Sequence, residues 1–383
     1  MSDVIDAAAA TPPGDAARGG SGILPSQAIR ALMDEGVIAA DTPLLADQVQ
    51  PDSLDLRLGP IAYRVRASFL PGRGAPVIDK VHELGMHEID LSGGAVLERG
   101  CVYIVPLMER LRLEPRLSAF ANPKSSTGRL DVFTRLITDG GAEFDRIERG
   151  YSGPLYAEVA PRAFSIVVRA GSRLNQLRLR RGAPSSSASG LRRLQASIGL
   201  VDRAADAVTM RDDSIAVSLD LRGEPGSGLI GYSAKKHTDV IDVDLRDHYD
   251  PLDYWDPILA RPGRGIVLNP DDFYILRTKE SVTVPPDHAA EMVAYDTLVG
   301  EFRVHYAGFF DPGFGYGGAE GQGSKAVLEV RSHDVPFLLE HEQIIGWLRY
   351  ERLTAAPDRV YGPAIGSTYQ GQGLALSKQF KRG

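Results

Sequence analysis

The chain has 383 residues, of which 43% are hydrophobic and 24% are charged, and its formal net charge is −7. This length and composition predict a globular protein of two or three domains, and the acidic balance argues against general binding to nucleic acid or to membrane surfaces. A single cysteine, Cys101, excludes an intrachain disulfide framework and a cysteine-rich zinc site.

The N-terminal segment, residues 1–22, is rich in Ala, Gly, Pro and Asp and predicts a disordered arm. It has neither the apolar stretch of a signal peptide nor the arginines of a transit peptide, so we expect a cytoplasmic protein. A short amphipathic helix follows, with Ser26 as its N-cap and an apolar stripe that includes Ile29 and Leu32. Gly36 is a suitable stop for this helix.

Short apolar or alternating runs fill most of the remaining chain and are separated by Gly, Pro and Asp. This pattern favours a mainly β sandwich, roll or barrel over a βαβ fold. The runs that are clearest as strands are residues 54–58, 102–105, 154–159 and 165–168.

Four segments recur in the same order along the chain, which indicates an internal duplication. Three pairs are 171 residues apart and the remaining pair is 165 residues apart. We therefore predict a first unit at 23–182, a linker with a helix at 183–213, a second unit at 214–352 and a tail at 353–383. Two unrelated β domains with similar strands are the alternative. The recurring segments are 53–57 with 218–222, 102–104 with 273–275, Pro115 with Pro286, and 158–159 with 329–330.

A polar segment in the first unit carries candidate phosphate ligands, namely Lys124, Ser125, Ser126 and Arg129. Hydroxyl groups donate neutral hydrogen bonds to phosphate oxygens, and the two cations add charge-assisted ones. A polar turn with solvated charges is the alternative interpretation. The corresponding place in the second unit, residues 296–300, has neither the serines nor the arginine.

A turn in the second unit is a candidate for reading a nucleobase. Asp311 begins an Asp-Pro-Gly sequence, a strong turn signal, and the exposed backbone at Ala307 and Gly308 could contact a base edge. An ordinary β-hairpin is the simpler interpretation. The first unit has Glu148 and Arg149 where the second has Asp and Pro.

Two carboxylates lie in otherwise apolar strands, Glu158 in the first unit and Glu329 in the second. Burial would raise the pKa of such a group toward the range that a general base or proton shuttle needs, whereas an outward Glu paired with a basic residue is the alternative. The C-terminal tail, with Tyr361, Tyr369 and Gln372, predicts either a segment that folds over a ligand or a disordered end.

Together these motifs resemble the dCTP deaminases of the dUTPase-like superfamily. The resemblance begins near Gly22 and rests on segments 50–59, 125–129, 307–314 and 328–329, and on the tail. It implies two distorted β-roll units of the dUTPase-like or jelly-roll kind with short helices. It also implies that the catalytic residues are Glu329 as general base with Ser125 and Arg129.

The resemblance further implies the residues that bind the nucleotide. Ala307 and Gly308 would hold the base, and Asp311 would lie near the deoxyribose. Lys124 and Ser126 would contact phosphate, and Tyr361, Tyr369 and Gln372 would close on the triphosphate. The residues of one family site come from different subunits, and here they are divided between the units. We therefore expect a composite site within one chain, with Glu158 and Arg146 as remnants or parts of a second site.

The expected reaction is hydrolytic deamination of dCTP to dUTP and ammonia. Zinc deaminases need a His/Cys ligand set that this chain lacks, so we expect no protein-held metal and no zinc, with Mg²⁺ arriving on the triphosphate. A dUTPase, a bifunctional deaminase and dUTPase, and a non-catalytic nucleotide-binding protein remain alternatives. dTTP and dUTP are further candidate ligands. No nucleic acid or membrane partner is expected, and the chain is expected to be a monomer or small homo-oligomer.

Overall fold

The computed structural model describes residues 20–183, 187–293, 308–317, 323–332, 334–362 and 373–382, and the backbone of 302–305. We refer to residues 20–183 as the first half and to the described residues from 187 onward as the second half. Among the described residues, no helix combines the length and the apolar character needed to cross a bilayer.

The first half consists mainly of short strands, as the punctuated pattern of its sequence predicts. A 3₁₀ turn at Ala46–Gln48 and three short α-helices connect some of these strands. The α-helices are Ser26–Asp34 (α1), Val77–Leu84 (α2) and Ser125–Gly128 (α3). The strands are Gly22–Ile23 (β1), Ile38–Ala40 (β2), Leu54–Leu56 (β3), Ile61–Val65 (β4), Gly85–Asp90 (β5), Ala95–Leu97 (β6), Val102–Arg112 (β7), Leu117–Pro123 (β8), Val132–Thr138 (β9), Arg146–Ile147 (β10), Ser152–Pro161 (β11), Ile166–Val168 (β12) and Asn175–Arg181 (β13).

The second half also consists mainly of short strands, with two α-helices among its described residues. Its α-helices are Ala188–Ile198 (α4) and Pro251–Tyr254 (α5). Its strands are Met210–Arg211 (β14), Ser214–Ser218 (β15), Leu229–Ala234 (β16), Ile241–Asp242 (β17), Trp255–Leu259 (β18), Ile266–Leu268 (β19), Phe273–Val282 (β20), His288–Val293 (β21), Phe302–His305 (β22), Phe309–Phe310 (β23), Ser324–Ser332 (β24), Phe337–Leu339 (β25) and Ile344–Arg352 (β26).

Helix α1 forms where its apolar stripe predicts, with Ile29 and Leu32 buried. The predicted N-cap is wrong, because Pro25 occupies that position and Ser26 is the first helical residue. The Ser26 hydroxyl hydrogen-bonds instead to the Asp358 carboxylate, a residue 332 positions later. A contact that distant leaves no local signal in the sequence.

The two halves repeat one pattern of strand pairing, which is consistent with duplication. Strand β11 lies between β7 and β9, and β24 lies between β20 and β22 in the same antiparallel manner. The pairs β13–β8 and β26–β21 also correspond. The predicted mainly β fold of two similar units is confirmed.

One of the four recurring segments is matched in the wrong register. Leu58 bridges Leu107 in the first half, and the bridge in the same place in the second half joins Leu219 to Thr278. Leu58 therefore corresponds to Leu219, and segment 53–57 does not correspond to 218–222. The true offset at this point is smaller than 165 by four residues. Because four is even, the mismatch keeps the leucines on the same strand face, so the alternating pattern looks correct in either alignment.

Side chains alternate along β24, so that successive residues contact the cores of different halves. Leu328 and Val330 point into the second half's own core, whereas Val327 packs against the core of the first half. Phe273 and Ile275 on the neighbouring strand β20 belong to that first-half core as well. One face of this sheet is therefore covered by the first half, and Glu329 lies on that face since it is two residues from Val327.

The end of the chain is packed over residues 373–382, so the alternative of a disordered end is wrong for this segment. Phe380 is buried among the rings of Tyr249, Tyr254 and Trp255. The hydroxyl of Ser377, also buried, donates a hydrogen bond of 2.6 Å to the carbonyl oxygen of Ser126 on α3. Segment 373–382 is thus anchored between the two halves.

Candidate active site

The predicted phosphate ligands lie on and around helix α3, at the boundary between the halves. Lys124 immediately precedes the helix, and its backbone N–H donates to the carbonyl oxygen of Leu174 at 2.9 Å. The Lys124 ammonium group forms an ion pair with the buried carboxylate of Asp55. Ser126 is buried within the helix, and Ser125 is half-buried. The N-terminal end of the helix is therefore held by a backbone hydrogen bond and an ion pair.

Arg129 and Glu329, which are 200 positions apart in sequence, meet across this boundary. The Arg129 Nε atom lies 3.9 Å from Glu329 Oε1, and both side chains are buried. Burial raises the pKa of Glu329 to about 8, although the positive charge of Arg129 opposes the shift. A carboxylic acid with this pKa can give or take a proton near neutral pH, as acid–base catalysis requires.

Glu329 is fixed by its place in the sheet. It is paired through β24 with Ile275 on β20 and with His305 on β22, so its backbone is hydrogen-bonded within a three-strand ladder. Arg129 is held on the other side, since its Nη1 atom donates to the carbonyl oxygen of Ala375 at 2.9 Å. The two residues predicted as catalytic are thus both held by backbone hydrogen bonds, Glu329 within its sheet and Arg129 through its side chain.

Asp311 lies in a second buried charge cluster at the same boundary. The Arg178 guanidinium lies 2.8 Å from Asp52 and 3.7 Å from Asp311. Burial and the neighbouring Asp52 carboxylate raise the pKa of Asp311 well above its ordinary value. Two close carboxylates next to one guanidinium favour sharing a proton, so one of them can donate a hydrogen bond.

The turn that carries Asp311 lies near Lys124, one of the predicted phosphate ligands. The carboxylate of Asp55, which pairs with Lys124, is close enough to contribute to the raised pKa of Asp311. Tyr361 packs on the same turn: its ring centroid is 5.7 Å from that of Phe314, and its N–H donates to the carbonyl oxygen of Pro312. Gly308 accepts a hydrogen bond from the N–H of Met292.

Three of the predicted ligand contacts lie outside the described residues: Ala307, Tyr369 and Gln372. The segment of the second half that corresponds to the serines of α3, residues 296–300, also lies outside them.

The first-half carboxylate has a different environment. Glu158 pairs with Arg135, its cross-strand neighbour on β9, at 2.6 Å. The guanidinium of Arg135 in turn lies 3.5 Å above the ring of Phe144. Arg146, which was grouped with Glu158, is exposed and pairs with Glu143 instead. The structure therefore does not bring Glu158 and Arg146 together.

No group of three or more His, Cys, Asp or Glu side chains within the described ranges is arranged to hold a metal ion. The polar groups at the boundary are instead paired carboxylates and cations, joined to hydroxyl and backbone groups of α3.

Two family models match consecutive parts of the chain. The model of the 2'-deoxycytidine 5'-triphosphate deaminase N-terminal domain matches residues 20–183, and that of the C-terminal domain matches residues 187–380. The chain belongs to the dCTP deaminase family.

Solved and curated members of the dCTP deaminase family resemble the chain. A crystal structure of 2'-deoxycytidine 5'-triphosphate deaminase from Agrobacterium tumefaciens is 57% identical, with a TM-score of 0.83, over 87% of this chain and 99% of that one. A dCTP deaminase, dUMP-forming, from Beutenbergia cavernae is 31% identical over 40% of this chain and 88% of its own length. A protein of the same description from Halobacterium salinarum is 35% identical over 31% of this chain, and the match spans only 59% of its length.

Several charged residues of this dCTP deaminase family site were not assigned a role from sequence. Arg178 and Asp52 join the Asp311 hairpin to the first half, and Asp131 pairs with Arg331 beside Arg129 and Glu329. The two residues of each ion pair are 126 positions apart for Asp52 and Arg178 and 200 positions apart for Asp131 and Arg331. The only local signal is a charged residue in a strand that is otherwise buried, as at Arg178 in β13.

Proposed function

We propose that this chain deaminates dCTP hydrolytically to dUTP and ammonia in a composite site formed by its two halves. The contact between Arg129 of the first half and Glu329 of the second supports this proposal most directly. Family membership and the names of the relatives point to the same substrate. The first half supplies Ser125 and Arg129, which have no sequence counterpart at 296–300, and the second half supplies the Asp311 turn and Glu329.

In the proposed reaction the Glu329 carboxylate takes a proton from a water molecule held by the Ser125 hydroxyl. The resulting hydroxide attacks C4 of cytosine, and Glu329 passes the proton to N3. The C4–N4 bond then breaks, with transfer of the hydroxyl proton to the departing amine, which leaves as ammonia. Arg129 stabilises the carboxylate form of Glu329, and this explains why a buried acid can accept the first proton.

Lys124 and Ser126 would receive the triphosphate. Lys124 is paired with Asp55, so phosphate binding would exchange one anionic partner for another. We propose that Mg²⁺ enters with the nucleotide as part of the substrate, bound through phosphate oxygens and water. Titration of turnover with Mg²⁺ at fixed dCTP tests this directly.

Replacement of Glu329→Gln tests the proposed function. The amide keeps the size of the side chain but cannot accept the water proton, so ammonia release from dCTP should fall by at least about a thousandfold. Binding of dCTP, measured by calorimetry, should change little. Near-normal ammonia release from the E329Q variant would contradict the assignment of the base.

Product analysis distinguishes the alternative activities. Ammonia without pyrophosphate indicates deamination alone, and pyrophosphate alone from dUTP indicates a dUTPase. Both products from dCTP indicate a bifunctional enzyme, an outcome that the dUMP-forming relatives make worth measuring. Binding of dCTP or dTTP without either product would indicate a non-catalytic nucleotide-binding protein.

A further inference from the structure

A second buried ion pair lies directly beside the Arg129–Glu329 contact. Asp131, two residues after Arg129, pairs with Arg331, two residues after Glu329. Both side chains are almost fully buried, with exposed fractions of 1% and 6%. Two ion pairs therefore join the same two segments across the boundary between the halves. The first half supplies the cation in one pair and the anion in the other.

The backbone at Asp131 is tightly constrained. Its φ angle is 54°, in the left-handed region that Asp tolerates better than most residues. Its N–H donates to the carbonyl oxygen of Gly128 at 2.8 Å, and its own carbonyl oxygen accepts from the N–H of Arg162 at 2.9 Å. The left-handed turn ends the α3 segment and leads into β9.

Arg331 is equally constrained on the opposite side. Residues 329 and 331 share a face of β24, because side chains alternate along a strand. The Arg331 guanidinium also donates from Nη1 to the carbonyl oxygen of Asp271, and it lies 5.9 Å from the ring centre of Phe273. A movement of this guanidinium would break contacts on three sides.

The order of charges specifies one alignment of the two segments. Arg129 and Asp131 on one side meet Glu329 and Arg331 on the other, so each cation faces an anion. A shift of two residues along β24 would place Arg129 against Arg331. Like charges buried together are strongly unfavourable, so the pairing selects the observed register.

The corresponding strand of the first half has no such pair. By strand register Glu158 corresponds to Glu329, and Ala160 therefore stands where Arg331 does. Glu158 takes its cation from the neighbouring strand of its own half. The Asp131–Arg331 pair is thus not a general requirement of the fold, and it occurs where the halves form the site.

We propose that Asp131 and Arg331 are positioning residues that keep Arg129 and Glu329 paired in the working geometry of the composite site. This inference rests on the proposed function, since it assigns these residues a role in the reaction of Glu329. Neither residue needs to touch the nucleotide. Asp131 pairs with Arg331 and so keeps that cation from competing for Glu329. Arg331 in the same way keeps Asp131 from competing for Arg129.

The charges around Glu329 define what the two single variants should do. Arg129 faces it from α3, Arg331 follows it on β24, and His305 is its Cα partner on β22. Arg277 lies on the same face of β20 but is paired with Asp220 and Glu224. Loss of the Asp131 charge removes the anion that neutralises Arg331, so the Arg331 charge acts more strongly on Glu329. Loss of the Arg331 charge leaves Asp131 to compete for Arg129.

The test is a double-mutant cycle with Asp131→Asn and Arg331→Gln, measuring kcat, KM and the pH dependence of kcat for dCTP. Each single variant should lower kcat by about ten- to a hundredfold with little change in KM, because a small misplacement affects the chemical step. The limb of the pH profile that reports Glu329 should move to lower pH in D131N and to higher pH in R331Q. The double variant should return it toward the wild-type position.

Glu351→Gln is a matched control. Arg180 and Glu351 also form an ion pair between the halves, from β13 to β26, and have no part in the proposed chemistry. E351Q should leave kcat and the pH profile unchanged. Circular dichroism, melting temperature and binding of dUTP show whether each variant is folded. If R331Q is unstable, Arg331→Lys replaces it in the test: because this variant keeps the charge, its kcat should lie closer to that of the wild type.

The outcomes separate the two proposals. If E329Q is inactive while D131N and R331Q behave like E351Q, the positioning role is wrong and the proposed function stands. Equal shifts of the pH profile in the same direction in both single variants would also overturn the positioning role. If E329Q remains active, the proposed function itself is wrong.

Discussion

At the scale of single residues, the central feature is a buried carboxyl group that has one cation close to it. Burial alone would keep Glu329 protonated, and Arg129 moderates that effect to give a pKa of about 8. Neither the burial of Glu329 nor the nearby charge of Arg129 can be read from the local sequence. The flanking residues Leu328 and Val330 are compatible with an exposed Glu as well as with a buried one. Alternation of side chains along β24 puts Glu329 on the same face of the sheet as Val327. This face is buried because the first half packs against it.

Replacement of Arg129→Gln should therefore raise the pKa of Glu329 above about 8, because the charge that opposes its protonation is lost. Since the base must be ionised to accept a proton, the rising limb of kcat/KM for dCTP should move to higher pH. The measurement is a pH–rate profile of ammonia release. Arg135→Gln is the control, because Arg135 is the cation that pairs with Glu158. An equal shift in R135Q would contradict the assignment.

At the scale of elements, helix α3 is short and depends on its neighbours for its position. The C-terminal segment supplies part of that support, through the Ser377 hydroxyl on Ser126 and the Ala375 carbonyl oxygen on Arg129. The segment is itself secured by Phe380 in an aromatic cluster. The sequence of the tail, rich in Gly and polar residues before this point, gave no indication of such anchoring.

Phe380→Ala should release this segment, because truncation of a buried aromatic side chain costs about 3–5 kcal/mol. The free end should become sensitive to limited proteolysis, and kcat/KM should fall as Arg129 loses its carbonyl partner. Lys381→Ala alters an exposed neighbour and should have neither effect. Unchanged kcat/KM in an F380A protein whose C-terminus is demonstrably cleaved would show that the anchor does not support the site.

At the scale of the whole molecule, the two similar halves bury corresponding faces in different ways. The face of β11 that carries Glu158 is covered by a small cluster within the first half, which includes Val77 and Val81 of helix α2. The corresponding face of β24 is covered by the first half itself. One carboxylate is therefore paired within its own sheet, and the other meets a partner across the boundary.

This asymmetry predicts one working site per chain. Glu158→Gln should retain most of the turnover of dCTP, whereas the corresponding change at Glu329 should remove nearly all of it. Calorimetric titration of E329Q with dCTP should give one nucleotide bound per chain. Two equivalent binding sites per chain, or a loss of activity in E158Q comparable to that in E329Q, would contradict the prediction.

The sequence by itself determined the mainly β fold, its repetition, and most of the residues that meet at the boundary. These are properties of strand periodicity, turn residues and motifs, which act over a few positions and so are visible along the chain. The even shift at 218–222 shows the limit of this reasoning, because a period of two cannot distinguish registers that differ by two or four residues.

Only the tertiary structure decided which carboxylate is paired with which cation, and where the end of the chain lies. Glu158 and Glu329 occupy equivalent strands with similar flanking residues, yet Arg135 serves one and Arg129 the other. Asp131 and Arg331, and Ser377 with Ser126, likewise meet over 200 positions or more. Electrostatic and packing energies depend on distance in space and on burial, and a separation of this length in sequence carries no information about either.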